Sequence, residues 1–470
     1  MKNNFLKSAL IFIFSVSLAL AVLFPSRGVD ATADGVAIRL KAKAWYSVWD
    51  GSVAASFAGG DGTEANPYQI SNGKELAYLA SVVNNSADDT VNGGKFNQSD
   101  KYYKLTSHIA LNGTVINEPG STEDLADWSV NPPANEWTPI GVYIGDGDLS
   151  KAFCANFDGD GCTVRGIYIV YINTTDDNQS QGLFGCVYGG AIKNIGIEQS
   201  YIKGVNCVGG VVGCLLDGSI MNCYNTGSIS NTGSNLGGVV GIVGGTASED
   251  VVYEGRVTNC YNTGVVVGNG GVGGVVGSAI GNITNCYNTG NVSGVKDHVG
   301  GIVGFFCGNA TNCYNTGNIS STGNYIGSIV GYVLSDVIGD ITYGGNVTNC
   351  YYLTDTATSG IGENNGGTVT NILKFNTSGV FEGNEINSVT INETQYGNLL
   401  DALNAWVETN QTNPEIYSIW YGTPYPTFTE NNDGGTGGGK GCNSANSTNA
   451  ALLFPALIVM LGVCLVRGKR

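Results

Sequence analysis

The hexapeptide NCYNTG (Asn222–Gly227) recurs along this chain and decides its fold. Identical copies stand at Asn259–Gly264, Asn285–Gly290 and Asn312–Gly317, and a shortened copy opens as NCYY at Asn349–Tyr352. Successive copies are 37, 26, 27 and 37 residues apart. A repeat at such a spacing is typical of proteins built from stacked structural units.

An apolar run bracketed by glycines precedes each copy of NCYNTG. Each unit therefore contains two or three short β runs separated by turns, without a helical period. Because so short a unit cannot bury its apolar side alone, it must stack on its neighbours. The runs are VGGVVG (Val208–Gly213), LGGVVG (Leu236–Gly241), VGGVVG (Val272–Gly277), VGGIVG (Val299–Gly304) and IGSIVG (Ile326–Gly331), and an earlier, degenerate unit reads GLFGCVYGGAIKNIG (Gly182–Gly196).

The simplest stack is a parallel β-helix with one unit per coil, and a propeller or sandwich is the alternative. The segment from Phe153 to Tyr352 would make roughly seven coils of this kind. The two longer intervals hold the polar, glycine-containing segments GGTASEDVVYEG and SDVIGDITYGG. We interpret these segments as loops inserted into a unit of about 26 residues.

Two amphipathic segments flank the repeats. Asn72, with Glu75 three residues later, forms a capping box that opens a predicted helix over Gly73–Val83. Near the other end, Tyr396–Thr409 carries an apolar stripe typical of a helix. A solenoid needs covers because its terminal coils expose apolar surface and strand edges. We therefore predict an all-β fold with helical capping segments at both ends.

The repeats resemble the GLUG motif of bacterial surface proteins. Gly182–Gly185 reads GLFG, which fits the motif literally, and GGVVG or GGIVG runs followed by NCYNTG commonly accompany this motif. The resemblance covers about Gly60 to Tyr352, with an expected extension to Phe428, and it implies a right-handed parallel β-helix on an exported protein. It implies no activity for the repeats. Three stretches before the repeats also resemble sequences that precede the motif in that family. They are WTPIG (Trp137–Gly141), FDGDGCTVRGI (Phe157–Ile167) and GDGTEANPYQISNGKELAYLA (Gly60–Ala80).

For some proteins with this motif, the resemblance also implies an attached IgA-type zinc peptidase. Such enzymes use HExxH, in which two histidines bind zinc and the glutamate is the general base. The only histidines here are His108, in SHIALN, and His298, in DHVGG. Neither belongs to that pattern, so we expect no zinc peptidase, no metal site and no cofactor.

Both ends of the chain look like targeting segments. Residues 1–33 place lysines before an apolar run and an Ala31–Ala33 cleavage site, which predicts a signal peptide. Residues 431–449 form a Gly-rich linker with Cys442, and residues 450–470 form an apolar tail with a basic end that resembles Synerg-CTERM-type sorting signals. We expect a cell-surface or outer-envelope protein whose tail is anchored or processed, with Cys442 as the candidate residue. Residues 34–152, 153–352 and 353–430 are then the N-terminal capping region, the repeats and the C-terminal capping region.

Cysteine and tyrosine are neighbours in each copy of the motif, so in a regular strand they point to opposite sides. We predict a column of buried free thiols, because parallel neighbours hold their Cβ atoms farther apart than a disulfide needs. The tyrosines then form an outward ladder that is a candidate ligand-facing surface, and stacking for stability alone is the alternative. The flanking apolar positions require a corner near the motif, whose position the sequence leaves open. The cysteines are Cys223, Cys260, Cys286, Cys313 and Cys350, and the tyrosines are Tyr224, Tyr261, Tyr287, Tyr314 and Tyr351.

The charge of the chain bears on its partners. A net charge of −17 and a pI near 4.4 argue against a nucleic-acid partner, which needs a basic surface. Three acidic clusters are candidates for paired-carboxylate catalysis or for calcium. The cations that an enzyme on anionic polysaccharide needs lie on different coils, at Arg165, Arg256, Lys193, Lys203 and Lys296. The clusters are GDGD (Gly145–Asp148), FDGDG (Phe157–Gly161) and NTTDDN (Asn173–Asn178).

These observations predict a non-enzymatic, surface-tethered repeat protein that acts as a structural or adhesin-like display and binding module. The expected partners are a glycan or another component of a host or cell-envelope surface, and the membrane through the tail. The alternative is a carbohydrate-active β-helix enzyme, either a polysaccharide lyase or a hydrolase.

Overall fold

The computed structural model describes residues 28–30, 39–41, 48–85, 96–113, 128–143, 148–173, 180–248, 251–338, 341–382, 387–411 and 416–428. Apart from Gly28–Asp30, the predicted signal peptide lies outside these ranges. The predicted linker, Cys442 and the C-terminal tail also lie outside them. No helix in the described part of the chain has the length and apolarity that a membrane span needs.

Short strands from successive coils pair in parallel and build four sheets that run along the molecule. The first sheet has two rows of strands. The first row, in stacking order, is β3 (Tyr68–Ile70), β4 (Tyr102–Leu105), β6 (Asn156–Asp158), β10 (Ala191–Lys193), β15 (Gly218–Met221), β22 (Gly255–Thr258), β27 (Asn282–Thr284), β32 (Asn309–Thr311), β38 (Asn346–Leu353) and β40 (Thr368–Phe375). The second row is β5 (Ile109–Ala110), β7 (Thr163–Arg165), β11 (Gly196–Glu198), β16 (Tyr224–Asn225), β23 (Tyr261–Asn262), β28 (Tyr287–Asn288) and β33 (Tyr314–Asn315), followed by the far end of β38.

The other three sheets complete each coil. The second sheet is β8 (Tyr168–Val170), β12 (Tyr201–Gly204), β17 (Ser228–Asn231), β24 (Val266–Gly268), β29 (Val292–Gly294) and β34 (Ile319–Ser321). The third is β13 (Val208–Gly209), β18 (Ser234–Gly237), β25 (Gly270–Gly273), β30 (Val299–Gly300) and β35 (Ile326–Gly327). The fourth is β9 (Phe184–Tyr188), β14 (Val212–Leu216), β19 (Val240–Val243), β26 (Val276–Ala279), β31 (Val303–Phe306) and β36 (Val330–Ile338), with β39 (Ile361–Asn365) paired to β36.

The predicted parallel β-helix, with one unit per coil, is therefore confirmed. Between residues 153 and 352 the first row contains seven strands, from β6 to β38, which matches the expected number of coils. The two inserted segments form antiparallel hairpins, one from β20 (Gly245–Ser248) and β21 (Val251–Tyr253), the other from β36 and β37 (Ile341–Gly344). A further antiparallel pair joins β1 (Gly28–Asp30) to β2 (Arg39–Lys41).

The first asparagine of each NCYNTG copy makes the corner that the sequence could not locate. Its backbone is left-handed, a conformation that asparagine tolerates better than most residues. The φ angles are 54° at Asn222, 53° at Asn259, 56° at Asn285 and 56° at Asn312. The chain turns there, so the apolar residue before the motif, the cysteine and the apolar residue after it all face the core, as Ile220, Cys223 and Ile229 do.

The second asparagine of each copy forms an inner ladder in the core. Asn225, Asn262, Asn288 and Asn315 are fully buried. Asn225 Nδ2 donates to Asn262 Oδ1 (2.8 Å), Asn262 Nδ2 to Asn288 Oδ1 (2.9 Å) and Asn288 Nδ2 to Asn315 Oδ1 (2.8 Å). Each amide also bonds the backbone of the glycine two residues on, as Asn262 does with Gly264. Buried polar groups satisfied in this way stabilise one register over any other.

The inner ladder also explains the paired glycines of the apolar runs. A Cβ on Gly238 would lie 2.3 Å from Cγ of Asn262, and a Cβ on Gly274 would lie 2.4 Å from Cγ of Asn288. The second glycine of each run, at the turn between the third and fourth sheets, therefore packs across the core against a ladder amide. The last run reads IGSIVG, and there Ser328 replaces this glycine and accepts from Asn315 Nδ2 at 3.1 Å. This hydroxyl ends the ladder.

Helix α1 (Gly73–Asn84) closes the N-terminal end as predicted. Asn72 is its N-cap and accepts from the backbone N–H groups of Lys74 (3.0 Å) and Glu75 (3.1 Å). Glu75 reaches back to the backbone of Ser71 (2.7 Å) rather than to Asn72. The apolar face of α1 belongs to the main core.

Helix α2 (Leu399–Asn410) forms near its predicted position, but it does not extend the main core. Its buried side chains belong to a separate cluster against the tyrosines of the first sheet. It is part of a segment, residues 375–428, that we name the C-terminal cover. The cover also contains β41 (Phe381–Glu382), β42 (Val389–Ile391) and β43 (Thr394–Tyr396). The predicted C-terminal capping region thus covers a side of the solenoid.

The inner ladder gives a first testable prediction. Asn262→Ala removes two amide–amide bonds and leaves buried polar neighbours without partners, so we expect a loss of about 2–4 kcal/mol in unfolding free energy. The matched control is Asn309→Ala, since exposed Asn309 also makes two amide–amide bonds, with Asn282 and Asn346. There we expect a loss below about 1 kcal/mol. Denaturant unfolding followed by circular dichroism measures both, and equal losses would contradict this role for the inner ladder.

Candidate functional site

The predicted tyrosine ladder forms. The rings of Tyr224, Tyr261, Tyr287 and Tyr314 lie nearly parallel, with centroids 4.8, 4.7 and 5.3 Å apart along the column. Strand register adds Tyr351 after Tyr314. Such offset stacking of aromatic side chains on neighbouring strands stabilises a sheet.

The C-terminal cover hides this ladder from solvent. Trp420 lies 5.7 Å from Tyr287 and 5.4 Å from Tyr314, and Phe428 lies 5.4 Å from Tyr287, measured between ring centroids. The Tyr314 hydroxyl donates to the backbone carbonyl of Pro426. Tyr224, Tyr287, Tyr314 and Tyr351 are buried, and Tyr261 is partly buried. The expectation that these rings face water is therefore not met in this structure.

The corner asparagines hold the cover in register with the coils. Asn259 donates to the carbonyl of Ile416 (2.8 Å) and accepts from the backbone N–H of Ser418 (3.0 Å). Asn285 donates to the carbonyl of Ser418 (2.9 Å) and accepts from the indole N–H of Trp420 (2.8 Å). Each side chain thereby makes two polar contacts with the cover, which sequence periodicity alone does not reveal.

The repeat cysteines are buried and free, as predicted. Their thiols donate to the carbonyl two residues earlier, for example Cys223 Sγ to Met221 O at 3.2 Å and Cys286 Sγ to Thr284 O at 3.2 Å. Burial raises the pKa of the Cys223, Cys286 and Cys350 thiols well above its ordinary value. These three thiols are protonated and have no solvent access, so they are packing groups and not nucleophiles.

The structure pairs cations and carboxylates that the sequence places on different coils. Lys104 lies 3.1 Å from Asp160, and Lys193 lies 3.3 Å from Asp158. Of the other acidic clusters, Asp148 accepts from the backbone N–H of Ser150 (2.8 Å), which is a turn contact. Asp146, Asp176 and Asp177 lie outside the described residues. In the described chain no three His, Cys, Asp or Glu side chains converge to hold a metal ion.

A polar cluster continues the tyrosine column beyond Tyr224. Tyr224 leans over Gly196, where a Cβ would lie 2.2 Å from its Cζ, and donates to Glu198 Oε1 at 2.7 Å. Arg165 Nη2 contacts the other oxygen of Glu198 at 3.3 Å. Burial and the Glu198 charge raise the pKa of Tyr224 far above its ordinary value. Tyr224 is therefore a hydrogen-bond donor here and is unsuited to act as a base near neutral pH.

A pocket of about 310 Å³ lies on the flank across the core from the tyrosine ladder. This pocket was not predicted from the sequence. Two columns of side chains line this flank. The first consists of left-handed residues, with φ between 48° and 66°, that each stand immediately before a glycine-bracketed apolar run on the third sheet, and the second points outward from the fourth sheet. In order, the first column is Cys207, Asn235, Gly271, His298 and Tyr325, and the second is Cys214, Ile242, Ser278, Phe305 and Tyr332.

The pocket lies where both columns are interrupted by small residues, Gly271 and Ser278. On one side stand Asn235, whose Oδ1 accepts from Ser278 Oγ at 2.6 Å, and Ile242. On the other side stand His298 and Phe305, with ring centroids 5.4 Å apart. One antiparallel hairpin follows β19, and the other is formed by the far end of β36 with β37. The strands β26 and β31, which border the pocket, lie between these two hairpins in the fourth sheet.

Aromatic side chains extend the pocket wall along the next coil. The ring of His298 stacks on Tyr325 (5.3 Å, 8°), and that of Phe305 stacks on Tyr332 (5.7 Å, 9°). Tyr325 is 36% exposed, so its ring is accessible from solvent. Partial burial lowers the pKa of His298 below its ordinary value, although Asp297 opposes this shift. The imidazole is therefore neutral near pH 7, and the wall carries no formal charge.

One sequence signal could have located this pocket. The first column is the residue just before each glycine-bracketed hexapeptide, and the second is the residue just after it, as in His298–Phe305 around VGGIVG. The hexapeptide is nearly constant while its two neighbours vary from coil to coil. The positions on either side of the hexapeptide therefore mark where one coil differs from the next on this flank.

The cover gives a second testable prediction. Trp420 is 1% exposed, and Trp420→Ala removes its contacts with Tyr287 and Tyr314, so the docking of the cover should weaken by about 3–5 kcal/mol. We expect faster hydrogen exchange and proteolysis within residues 387–428, with unchanged protection in the coils. Tyr425→Ala, at an exposed ring of the same segment, is the control. Loss of protection along the entire solenoid would show that the cover does not open separately.

His108 gives a prediction on pH. Its Nδ1 accepts the backbone N–H of Thr163 (3.0 Å), and burial lowers its pKa below the ordinary value. The unfolded state therefore takes up a proton that the native state resists, so stability falls as pH drops through about 6.5 towards the native pKa. His108→Asn keeps an acceptor without titrating. We expect a smaller stability loss between pH 8 and pH 5 in this variant than in the wild type, and equal losses would contradict the assignment.

The family comparison agrees with the repeat architecture. The GLUG motif matches residues 204–230 and 268–293, so the predicted resemblance is confirmed over these two segments. No curated protein matches this sequence. The crystal structure of a proposed immunoglobulin A1 protease from Bacteroides ovatus is similar, with a TM-score of 0.47 and 20% identity, over 80% of this chain and 96% of that one. The chain is a β-solenoid that contains GLUG repeats.

Proposed function

We propose that this protein is an exported, surface-tethered solenoid that acts as an adhesin-like binding module. The observation that carries the proposal is the pocket with its partly exposed aromatic wall, His298, Phe305, Tyr325 and Tyr332, on the flank across the core from the cover. Aromatic rings with a few convergent polar groups are the usual lining of a ligand site. A binding site on a rigid stack needs no conformational change to engage a surface.

The arrangement of the cover supports a tethered orientation. The cover docks on the tyrosine flank, and the predicted linker and sorting tail follow it directly in the sequence. A chain anchored through this tail would leave the pocket flank free to meet a partner. The net charge of −17 keeps such a rod soluble and makes an acidic polymer an unfavourable partner.

A carbohydrate-active enzyme is the second candidate function. The contact of Arg165 and Tyr224 with Glu198 favours it, because a cation and a carboxylate that are distant in sequence meet on one surface. However, both oxygens of Glu198 already accept hydrogen bonds from these residues. The cluster therefore has the character of a satisfied structural network, and we rank binding above catalysis.

The proposal predicts that the full-length protein binds glycans on an array or on intact cell surfaces. Phe305→Ala removes the ring beside His298, and we expect binding to weaken tenfold or more, the effect of losing about 1.4 kcal/mol of contact. Tyr201→Ala is the matched control, since Tyr201 stacks outward on Tyr168 on the second sheet (6.0 Å).

The same samples distinguish the two candidates. Release of new reducing or unsaturated sugar ends, lost in Glu198→Gln, would replace the binding proposal by the enzymatic one. Absence of binding to every array glycan and cell surface would overturn the adhesin-like role.

A further inference from the structure

We propose that the pocket at Gly271 and Ser278 binds one neutral pyranose residue, with Phe305 and His298 against its apolar face and Asn235 and Ser278 at its hydroxyls. This inference rests on the proposed binding function and names the ligand class. A pyranose has a C–H face and a rim of hydroxyl groups, and the pocket presents one aromatic wall and one polar edge. The two chemistries match.

The size of the pocket selects a single sugar residue. Ligand sites commonly measure about 300–1,000 Å³, and the 310 Å³ here is at the small end of that range. The gap exists because Gly271 has no side chain and Ser278 has a short one. In the next coil the same two positions hold His298 and Phe305, whose rings fill the equivalent space. The sugar thus takes the place that side chains take on the neighbouring coil.

The polar edge can exchange its internal bond for bonds to a ligand. Ser278 Oγ donates to Asn235 Oδ1 at 2.6 Å, and Asn235 Nδ2 has only the weak acceptor Cys207 Sγ at 3.8 Å. A thiol sulfur is a poor acceptor, so the amide N–H groups remain available for a hydroxyl oxygen. The serine oxygen can also accept. One side of the pocket therefore supplies both donors and acceptors.

The absence of charge in the lining excludes other ligand classes. No Lys, Arg, Asp or Glu lines the pocket, so an anionic sugar would find no cation to pair with. A quaternary ammonium prefers rings on several sides of the cation. Here the rings form one wall, and Asn235 and Ile242 stand opposite. A neutral hydroxylated ring fits this lining best.

The test fills the gap and keeps the aromatic wall of His298 and Phe305 in place. Gly271→Asn introduces asparagine at the position equivalent to Asn235 of the preceding coil. The backbone φ is nearly the same at the two positions (59° and 61°), so the new side chain should be tolerated there. A Cβ at Gly271 would meet Ser278 Oγ at 3.1 Å and Asn235 Oδ1 at 3.4 Å, so the side chain would enter next to the polar edge. Ser278→Phe extends the Phe305 column in register as a second blocking variant. Val267→Phe, on the exposed second-sheet face of the same coil, is the control.

Methyl glycosides of neutral hexoses, a hexuronate and tetramethylammonium are titrated into the full-length protein, with ligand-observed NMR as the readout. We expect millimolar binding of at least one neutral glycoside, at least a tenfold loss in Gly271→Asn and Ser278→Phe, and no change in Val267→Phe. Circular dichroism checks that the variants fold. If either blocking variant does not fold, loss of the same signal in Asn235→Ala, with Val267→Phe unchanged, tests the polar edge.

Other results would contradict either the pocket assignment alone or the binding function as well. Glycan-array binding that persists in folded Gly271→Asn overturns the pocket assignment and leaves the binding function standing. The same conclusion follows if the wild type binds cell surfaces but prefers the hexuronate or the ammonium ion, or binds no neutral glycoside. Absence of binding to every array, cell surface and probe overturns the proposed function together with this inference.

Discussion

A column of buried amides crosses the coils, and each amide packs against a glycine on the far side of the core. Asn262 donates to Asn288 at 2.9 Å, and Gly238 approaches so closely that a Cβ would lie 2.3 Å from the Asn262 Cγ. An amide shifted by one residue would lose its partners and face apolar side chains, at a cost of about 1–3 kcal/mol for each unsatisfied group. The ladder therefore holds two distant parts of each unit, NCYNTG and GGVVG, in one register.

A fixed register turns a repeated sequence into columns, and the columns on the two flanks differ. On the ladder flank the same residues recur, so tyrosine stacks on tyrosine and one surface accepts one complementary segment. That segment comes from the chain itself, through Trp420 and Phe428. On the opposite flank the residues that surround the hexapeptide change from coil to coil. A recess forms where Gly271 and Ser278 coincide.

Much of the fold was predictable because it depends on local patterns. The coil follows from the spacing of NCYNTG, and α1 follows from Asn72 and Glu75. The position of the corner was not predictable, since the parity of side chains assumes an extended strand and Asn222 is left-handed. The buried state of the ladder also escaped prediction, because Trp420 reaches Asn285 across 135 residues of sequence. The pocket escaped prediction because it depends on how the small residues Gly271 and Ser278 of one coil meet His298 and Phe305 of the next.

The contrast between the flanks suggests why the aromatic surface most visible in the sequence is the covered one. A long row of identical exposed tyrosines would be a large apolar patch, which soluble proteins rarely leave open because it associates with copies of itself. The cover removes that patch and satisfies the corner asparagines Asn259 and Asn285 at the same time. On the opposite flank, Gly271 and Ser278 interrupt the two columns that contain His298 and Phe305. The aromatic side chains there border a bounded recess and do not form a continuous apolar strip. On this scaffold, therefore, departures from the repeat mark the proposed binding surface, whereas the repeated tyrosines mark the covered one.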